Sequence, residues 1–376
     1  MAGIYFHIPY CKKACHYCDF HFSTNFRNVA DIIEAMKIEL SLQENYLEKE
    51  EIKTIYFGGG TPSAIPNKYI SELINEIKKK HVVVSNAEIT LEANPDDLTQ
   101  ENIERWQQAG VNRLSVGVQS FFDEHLVWMN RAHNRSQAIN GLKWAKEAGI
   151  TNITMDLIYG IPNMTMDQWK QNLETFYNLD LPHLSAYGLT IEPQTHLGNL
   201  VKTQKVKTEK DENYNLQFEW LINSAKNNGF DHYEISNFGK PNFYSQHNTA
   251  YWLGQKYLGI GPSAHSFNGK QRQWAVASNM KYMKMLNQNK LPAEIEALSV
   301  NDRFNEYVLT RLRTIWGIDL NQINEQFGNE FQNNLMLNIE PYLISNKVVR
   351  NNDSFVLSAE GKFLADKISS DLFVID

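Results

Sequence analysis

A strand-like stretch followed by a helix-like stretch recurs along the first half of this chain, and that alternation leaves few folds open. Tyr5–Pro9 is a short apolar run, followed by a helical stretch with Ile33, Met36 and Leu40 on one face. Thr54–Phe57 forms a second strand, closed by Gly58-Gly59-Gly60, and a helix around Tyr69–Lys80 follows. Glu88–Ala93 is a third strand, ended by Asn94-Pro95, and Thr99 is placed to cap the next helix. Arg113–Val118 leads to a helix over His133–Ala148 that stops at Gly149. Asn152–Tyr159 leads to a helix over Met166–Asn178, and His183–Leu189 is the sixth strand. Units of this kind predict a parallel sheet with right-handed crossovers. The pattern is compatible both with a partial barrel and with an open, doubly wound sheet.

Beyond Leu189 the rhythm changes. Lys207–Asn228 reads as one long helix, and the region that follows is rich in glycine and aromatic residues without clear periodicity. A compact tail comes next, with helices over Asn301–Thr314, Leu320–Phe327 and Asn329–Ile344, a strand–turn–strand over Val348–Leu357 and a final helix. This order predicts a smaller, mainly helical, winged-helix-like module. The expected organisation is a core over 1–230, a connecting region over 231–295 and a C-terminal helical domain over 296–376.

Charge narrows the function. Residues 296–376 hold seven Lys and Arg against twelve Asp and Glu, and the 376-residue chain has a net charge of −7. Nucleic-acid phosphates require the opposite sign, so nucleic acid is not an expected partner. No apolar run is long enough to span a bilayer. The first residues, MAGIYFHIPYC, lack the basic start, apolar stretch and small-residue cleavage site of a signal peptide, so a cytoplasmic location is expected.

The chain has three cysteines, Cys11, Cys15 and Cys18, spaced Cx3Cx2C within eight residues. An odd, clustered set is a poor disulfide framework and points to metal or redox chemistry. Thiolates are the usual protein ligands of iron–sulfur clusters. Three cysteines on a four-iron cubane leave one iron open, able to chelate the amino and carboxylate groups of S-adenosylmethionine (SAM). The competing reading is a Cys3His zinc site completed by His7, His16 or His21.

Polar groups stand where the strands end, the place where parallel barrels carry their chemistry. Gly59, Gly60 and Thr61 follow the second strand, Glu92 ends the third, Gln119 ends the fourth, Arg131 lies in the next segment and Asp156 is in the fifth. Glycines admit close approach of a ligand to the backbone, a carboxylate can hold ribose hydroxyls, and an arginine can pair bidentately with a carboxylate.

These residues resemble a known family. The Cx3Cx2C loop is the radical-SAM signature. Together with Tyr5-Phe6-His7-Ile8-Pro9, Phe57–Ser63, Glu92–Pro95, Gly117–Ser120 and Asp156–Pro162, it is similar to the oxygen-independent coproporphyrinogen III oxidase group. The oxidases carry a fourth cysteine two residues after the third, where this chain has Phe20, and a longer N-terminal extension. The chain therefore looks most like the haem-chaperone branch of the group. The resemblance implies a partial (β/α)6 TIM-type barrel, a [4Fe-4S] cluster on Cys11, Cys15 and Cys18, and SAM held by Tyr5, Tyr17, Gly59, Gly60, Thr61, Glu92, Gln119, Arg131 and Asp156.

His247-Asn248-Thr249-Ala250-Tyr251-Trp252 matches an HNxxYW motif that the branch is thought to use for haem, which puts His247, Tyr251 and Trp252 at a haem site. Taken on its own, His247 can offer a neutral imidazole to iron. It can equally be a hydrogen-bonded core residue, and His265 is a competing ligand. The function these features lead us to expect is a haem chaperone that passes haem to an acceptor haem protein, with a low-potential electron donor serving the cluster. The alternative is an enzyme, a coproporphyrinogen III dehydrogenase that removes propionate carboxyls by radical decarboxylation.

Overall fold

The computed structural model describes residues 2–375, so the outermost residues of the first and last expected segments lie outside it. Six strands run parallel in chain order: β1 (Ala2–Ile8), β2 (Ile52–Gly59), β3 (Val83–Ala93), β4 (Arg113–Gln119), β5 (Asn152–Tyr159) and β6 (His183–Gly188). Helices between them cover the outside, and the result is a partial (β/α)6 barrel. Thr99 caps its helix by accepting the Asn102 amide, as its spacing predicts. Capping boxes at Asn134/Gln137 and Thr165/Gln168 start two more helices.

The strands alternate in chemistry with period two. On β4 the residues Leu114, Val116 and Val118, and on β5 Ile153, Met155 and Leu157, are completely buried. They share one apolar cluster with Trp106, Leu142, Trp169 and Phe176 from the covering helices. The intervening residues point inward and are polar: Glu88, Thr90 and Glu92 on β3, Arg113 and Ser115 on β4, Thr154 and Asp156 on β5, His183 and Ser185 on β6. Strand residues 2.0 apart in period share a face, so one pattern builds both the core and the barrel interior.

The region over 231–295, which shows no periodicity in sequence, completes the same sheet. Its strands are β7 (Asp231–Glu234), β8 (Asn237–Gly239), β9 (Tyr257–Ile260), β10 (His265–Phe267), β11 (Gln271–Ala275) and β12 (Ala293–Ala297). The order across the sheet is β12-β11-β10-β9-β1-β2-β3-β4-β5-β6-β8-β7, so this region lines both free edges of the barrel. β9 is parallel to β1, and β8 is antiparallel to β6. These strands are three to five residues long, too short to show an alternation in sequence.

Helix Gln246–Trp252 crosses the interior and ties the edges together. Its first amides, of Gln246 and His247, donate to the buried carboxylate of Glu88 at 3.2 and 3.1 Å. Glu88 pairs with Arg113 at 3.7 Å, and both are at most 3% exposed. The Arg113 guanidinium also donates to Thr154, whose hydroxyl lies 3.0 Å from His183 Nδ1. His183 Nε2 meets the Tyr233 hydroxyl at 2.7 Å.

The C-terminal unit packs helices Val300–Leu312, Leu320–Phe327 and Asn329–Ile344 on a small three-stranded sheet around its own apolar cluster. It docks on the barrel through Arg313, which reaches Glu234 and is steadied by Asp366 of its own unit, and through Lys362, whose ammonium lies 2.8 Å from His232 Nδ1. Among the described residues, no helix is long and apolar enough to cross a membrane.

Removing one partner of a buried ion pair leaves the other charge without compensation. We expect Arg113→Met to lower unfolding free energy by about 3–5 kcal/mol, read as a reduced denaturation midpoint. The double variant Arg113→Met/Glu88→Gln should recover part of that loss. Additivity of the two substitutions would show that the pair is not coupled.

Candidate cofactor site

The cysteine loop leaves β1 at Ile8 and is pinned on three sides. Cys11 N donates to Ser23 O at 3.1 Å and Thr61 N donates back to Tyr10 O at 2.6 Å. His16 N donates to Met129 O, and Asn130 Nδ2 to Ala14 O at 2.8 Å. Leu197 N closes the third side on His16 O at 2.7 Å. The loop is therefore held by β2, by the segment after β4 and by helix His196–Lys202.

The three thiols are free, partly buried and face one cavity of about 500 Å³. Of the other residues expected at a SAM site, Tyr17, Gly59, Gly60, Thr61, Glu92, Gln119, Arg131 and Asp156 line the same cavity. The ninth, Tyr5, does not. It sits one layer away, its ring stacked on Tyr56 at 6.0 Å and its hydroxyl 3.3 Å from His7 Nδ1.

Thr61 Oγ1 donates to Cys11 Sγ and Arg131 Nη1 to Cys15 Sγ, both at 3.3 Å. Arg131 also donates to Tyr17 OH at 3.5 Å and to Asn94 Oδ1 and Gly117 O, the last two at 2.7 Å. Its sequence role was pairing with a ligand carboxylate. In the structure its terminal nitrogens are already engaged, and it fixes Cys15 and the end of β4. Burial pushes the thiols of Cys11 and Cys18 up to about 11. Among the described residues, no three His, Cys, Asp or Glu side chains are grouped as a single-ion site.

Backbone around the thiols leaves no room for side chains. Gly59 has φ +101°, and a Cβ there would stand 2.6 Å from His7 Nδ1. A Cβ on Gly60 would stand 2.7 Å from Tyr10 O. Gln119 is held at φ +67°, an uncommon conformation for a residue with a side chain, and accepts from Tyr187 OH at 3.1 Å.

Two carboxyls form the electrostatic floor. Burial pushes Glu92 up to about 7, against a 2.8 Å hydrogen bond from Tyr56 OH. Burial, with Glu92 adding to it, pushes Asp156 up to about 7. A cavity with two such carboxyls favours a cationic ligand. SAM, with its sulfonium and ammonium, fits that demand, and three thiols facing a glycine-lined space fit an open-site cubane.

A second cavity, of about 530 Å³, adjoins the first and shares Asp19, Phe20, Tyr56, Glu92 and Asn248 with it. Tyr5, His7, His21, His247, Tyr251, Tyr257, Ser263 and His265 complete its lining. The expected haem residues divide here. His247 and Tyr251 face this space. Trp252 lies on neither cavity, its ring beneath the Arg313 guanidinium at 5.6 Å, in the seam with the C-terminal unit.

Comparison with known proteins gives a consistent answer. Residues 5–176 match the Radical SAM superfamily and residues 298–364 the HemN C-terminal domain. The chain is 30% identical to heme chaperone HemW of Bacillus subtilis over 98% of both chains. It is 34% identical to the Lactococcus lactis protein of the same name, over 87% of this chain and 84% of that one. The solved structure of coproporphyrinogen III oxidase (HemN) from Escherichia coli superposes with a TM-score of 0.84, covering 99% of this chain and 90% of that one at 22% identity, and this establishes the shared fold. The cysteine loop is thus that of a radical-SAM protein, with a [4Fe-4S] cluster and SAM as cofactors, and the chain belongs to the HemW family.

Proposed function

We propose that the protein is a haem chaperone, holding haem in the second cavity beside the SAM-bearing cluster and passing it to an acceptor haem protein. The observation that carries this reading is the shared wall of the two cavities. A flat ligand in the histidine- and tyrosine-lined space would touch Phe20 and Asp19, which directly follow the cluster ligand Cys18. The relatives named heme chaperone HemW, matching over nearly the whole chain, support it. Phe20 stands where the oxidases have their fourth cysteine, which favours the chaperone over the dehydrogenase.

In this reading Cys11, Cys15 and Cys18 would hold the cluster, and the three-cysteine ligand set would leave it a site open to SAM. When bound and reduced, the cluster supplies the electron that can cleave a sulfonium C–S bond. The chain's own residues position and shield that site. Thr61 and Arg131 orient the sulfurs of Cys11 and Cys15. Gly59 and Gly60 would bring backbone to the ligand's amino group, Glu92 and Asp156 would face its cationic and ribose parts, and Tyr17 and Gln119 would close the sides. Three reduced thiols require a reducing compartment, in keeping with a cytoplasmic location and a low-potential electron donor.

Two outcomes test these assignments. With Glu92 and Asp156 both near 7, the ionised forms that attract a cation gain population as pH rises through 7. We therefore expect SAM to bind cluster-reconstituted protein about tenfold more tightly at pH 8 than at pH 6 for each carboxyl that titrates. Glu92→Gln should weaken binding at pH 8 and flatten the profile, and a flat wild-type profile would remove the two carboxyls from the site. Haem titration with the cluster spectrum recorded in parallel should give saturable, stoichiometric binding without loss of the cluster. Catalytic formation of protoporphyrinogen from coproporphyrinogen, SAM and reductant would replace the chaperone with the dehydrogenase.

A further inference from the structure

We infer that His265, rather than His247 of the HNxxYW motif, is the residue that ligates haem iron, an inference that rests on the haem-chaperone reading above. Four histidines line the second cavity, and hydrogen bonding separates them. An imidazole ligates through a nitrogen lone pair, so a ring whose nitrogens are both engaged must first break a bond.

His247 is the most committed of the four. Its Nδ1 lies 2.7 Å from Thr54 Oγ1, its Nε2 lies 2.7 Å from Tyr251 OH, and it is 1% exposed. It also packs so closely on β1 that a Cβ at Gly3 would stand 3.1 Å from the ring. These contacts anchor helix Gln246–Trp252 to β1 and β2. The motif histidine is therefore part of the device that closes the barrel. His7 is engaged as well, with Nε2 2.8 Å from His21 O and Nδ1 3.3 Å from Tyr5 OH. His21 is engaged through one nitrogen, its Nε2 lying 2.8 Å from Asn279 Oδ1, and so stands between these two and a fully open ring.

His265 differs on each count. It opens β10, it is exposed, and among the described residues neither ring nitrogen has a hydrogen-bond partner. Its backbone is nonetheless held firmly. Ser263 sits at φ +67° and Gly261 at φ +113°, and a Cβ on Gly259 would stand 2.0 Å from His265 O. The strand pairs His265 with Trp274 across β11. The part of the ring that is withdrawn from water, with the Arg272 cation beside it, lowers the imidazole's affinity for a proton. Phe20, 66% exposed and lining the same cavity, provides the flat apolar surface that a porphyrin face requires.

The test is a haem titration of cluster-reconstituted full-length protein, followed by absorbance and electron paramagnetic resonance. Wild type should show a nitrogen-ligated haem. His265→Ala should lose that signature and bind haem at least tenfold more weakly, and imidazole in solution should restore the signature. His247→Ala with an intact cluster should keep it. Tyr251→Phe, which frees His247 Nε2 with little change of shape, should keep the nitrogen-ligated signature and gain no affinity. Persistence of the signature in His265→Ala, with its loss in His247→Ala or a gain of affinity in Tyr251→Phe, would overturn the assignment and leave the chaperone reading standing. Failure of wild type to bind haem saturably would overturn the chaperone reading itself.

Discussion

The guanidinium of Arg113, buried to 1% exposure, is the charge around which the barrel interior is organised. A cation so far from water has to be met by an anion and by hydrogen bonds. Glu88 from the neighbouring strand and Thr154 from the next one meet it. Glu88 in turn receives the first amides of helix Gln246–Trp252, so the pair that neutralises the interior also seats the segment that closes it. Above this layer on the same strands stand Glu92 and Asp156, held in the cofactor cavity. The cofactor floor thus rests on an electrostatic layer built from the same inward positions, one pleat below.

A six-stranded partial barrel has two free edges, and exposed edges are a hazard in any sheet. Here the chain after Asn228 returns to both. β8 and β7 extend the sheet beyond β6, while β9 to β12 extend it beyond β1. The helix between these two groups crosses the interior with His247 pinned between Thr54 and Tyr251. Closing the barrel in this way also shapes the second cavity, because β9, β10 and the helix add their side chains to its lining beside Tyr5 and Tyr56. A motif can therefore be tied to a haem site by shaping its wall, without offering the iron a nitrogen.

Much of the fold was legible because its physical causes are local. Strand-like runs located all six parallel strands, the third of which begins at Val83, five residues before the expected Glu88, and Thr99 marked its helix start. Within the strands, alternation also carries the barrel interior: Glu88, Thr90 and Glu92, then Arg113, Ser115, Gly117 and Gln119, share one face of strands whose other face is wholly apolar. That pattern announces a polar barrel interior and would have singled out Glu88 and Arg113. The strands of 231–295 were not legible, because three to five residues pairing at a distance leave no periodic trace.

By itself the sequence determined the chemistry available: three thiols at cluster spacing, carboxyls and glycines at strand ends, and a histidine among aromatics. Residue type and short-range spacing encode such things directly. Tertiary structure decided which groups are free to act. It drew Arg131 onto Cys15 and Gly117, moved Tyr5 to the neighbouring cavity, turned Trp252 toward Arg313, and engaged both nitrogens of His247 while leaving those of His265 open. Whether a side chain can bind a ligand depends on the partners it already has. Those partners come from strands and helices up to 193 residues away in the chain, as with Thr54 and His247, and no local pattern records them.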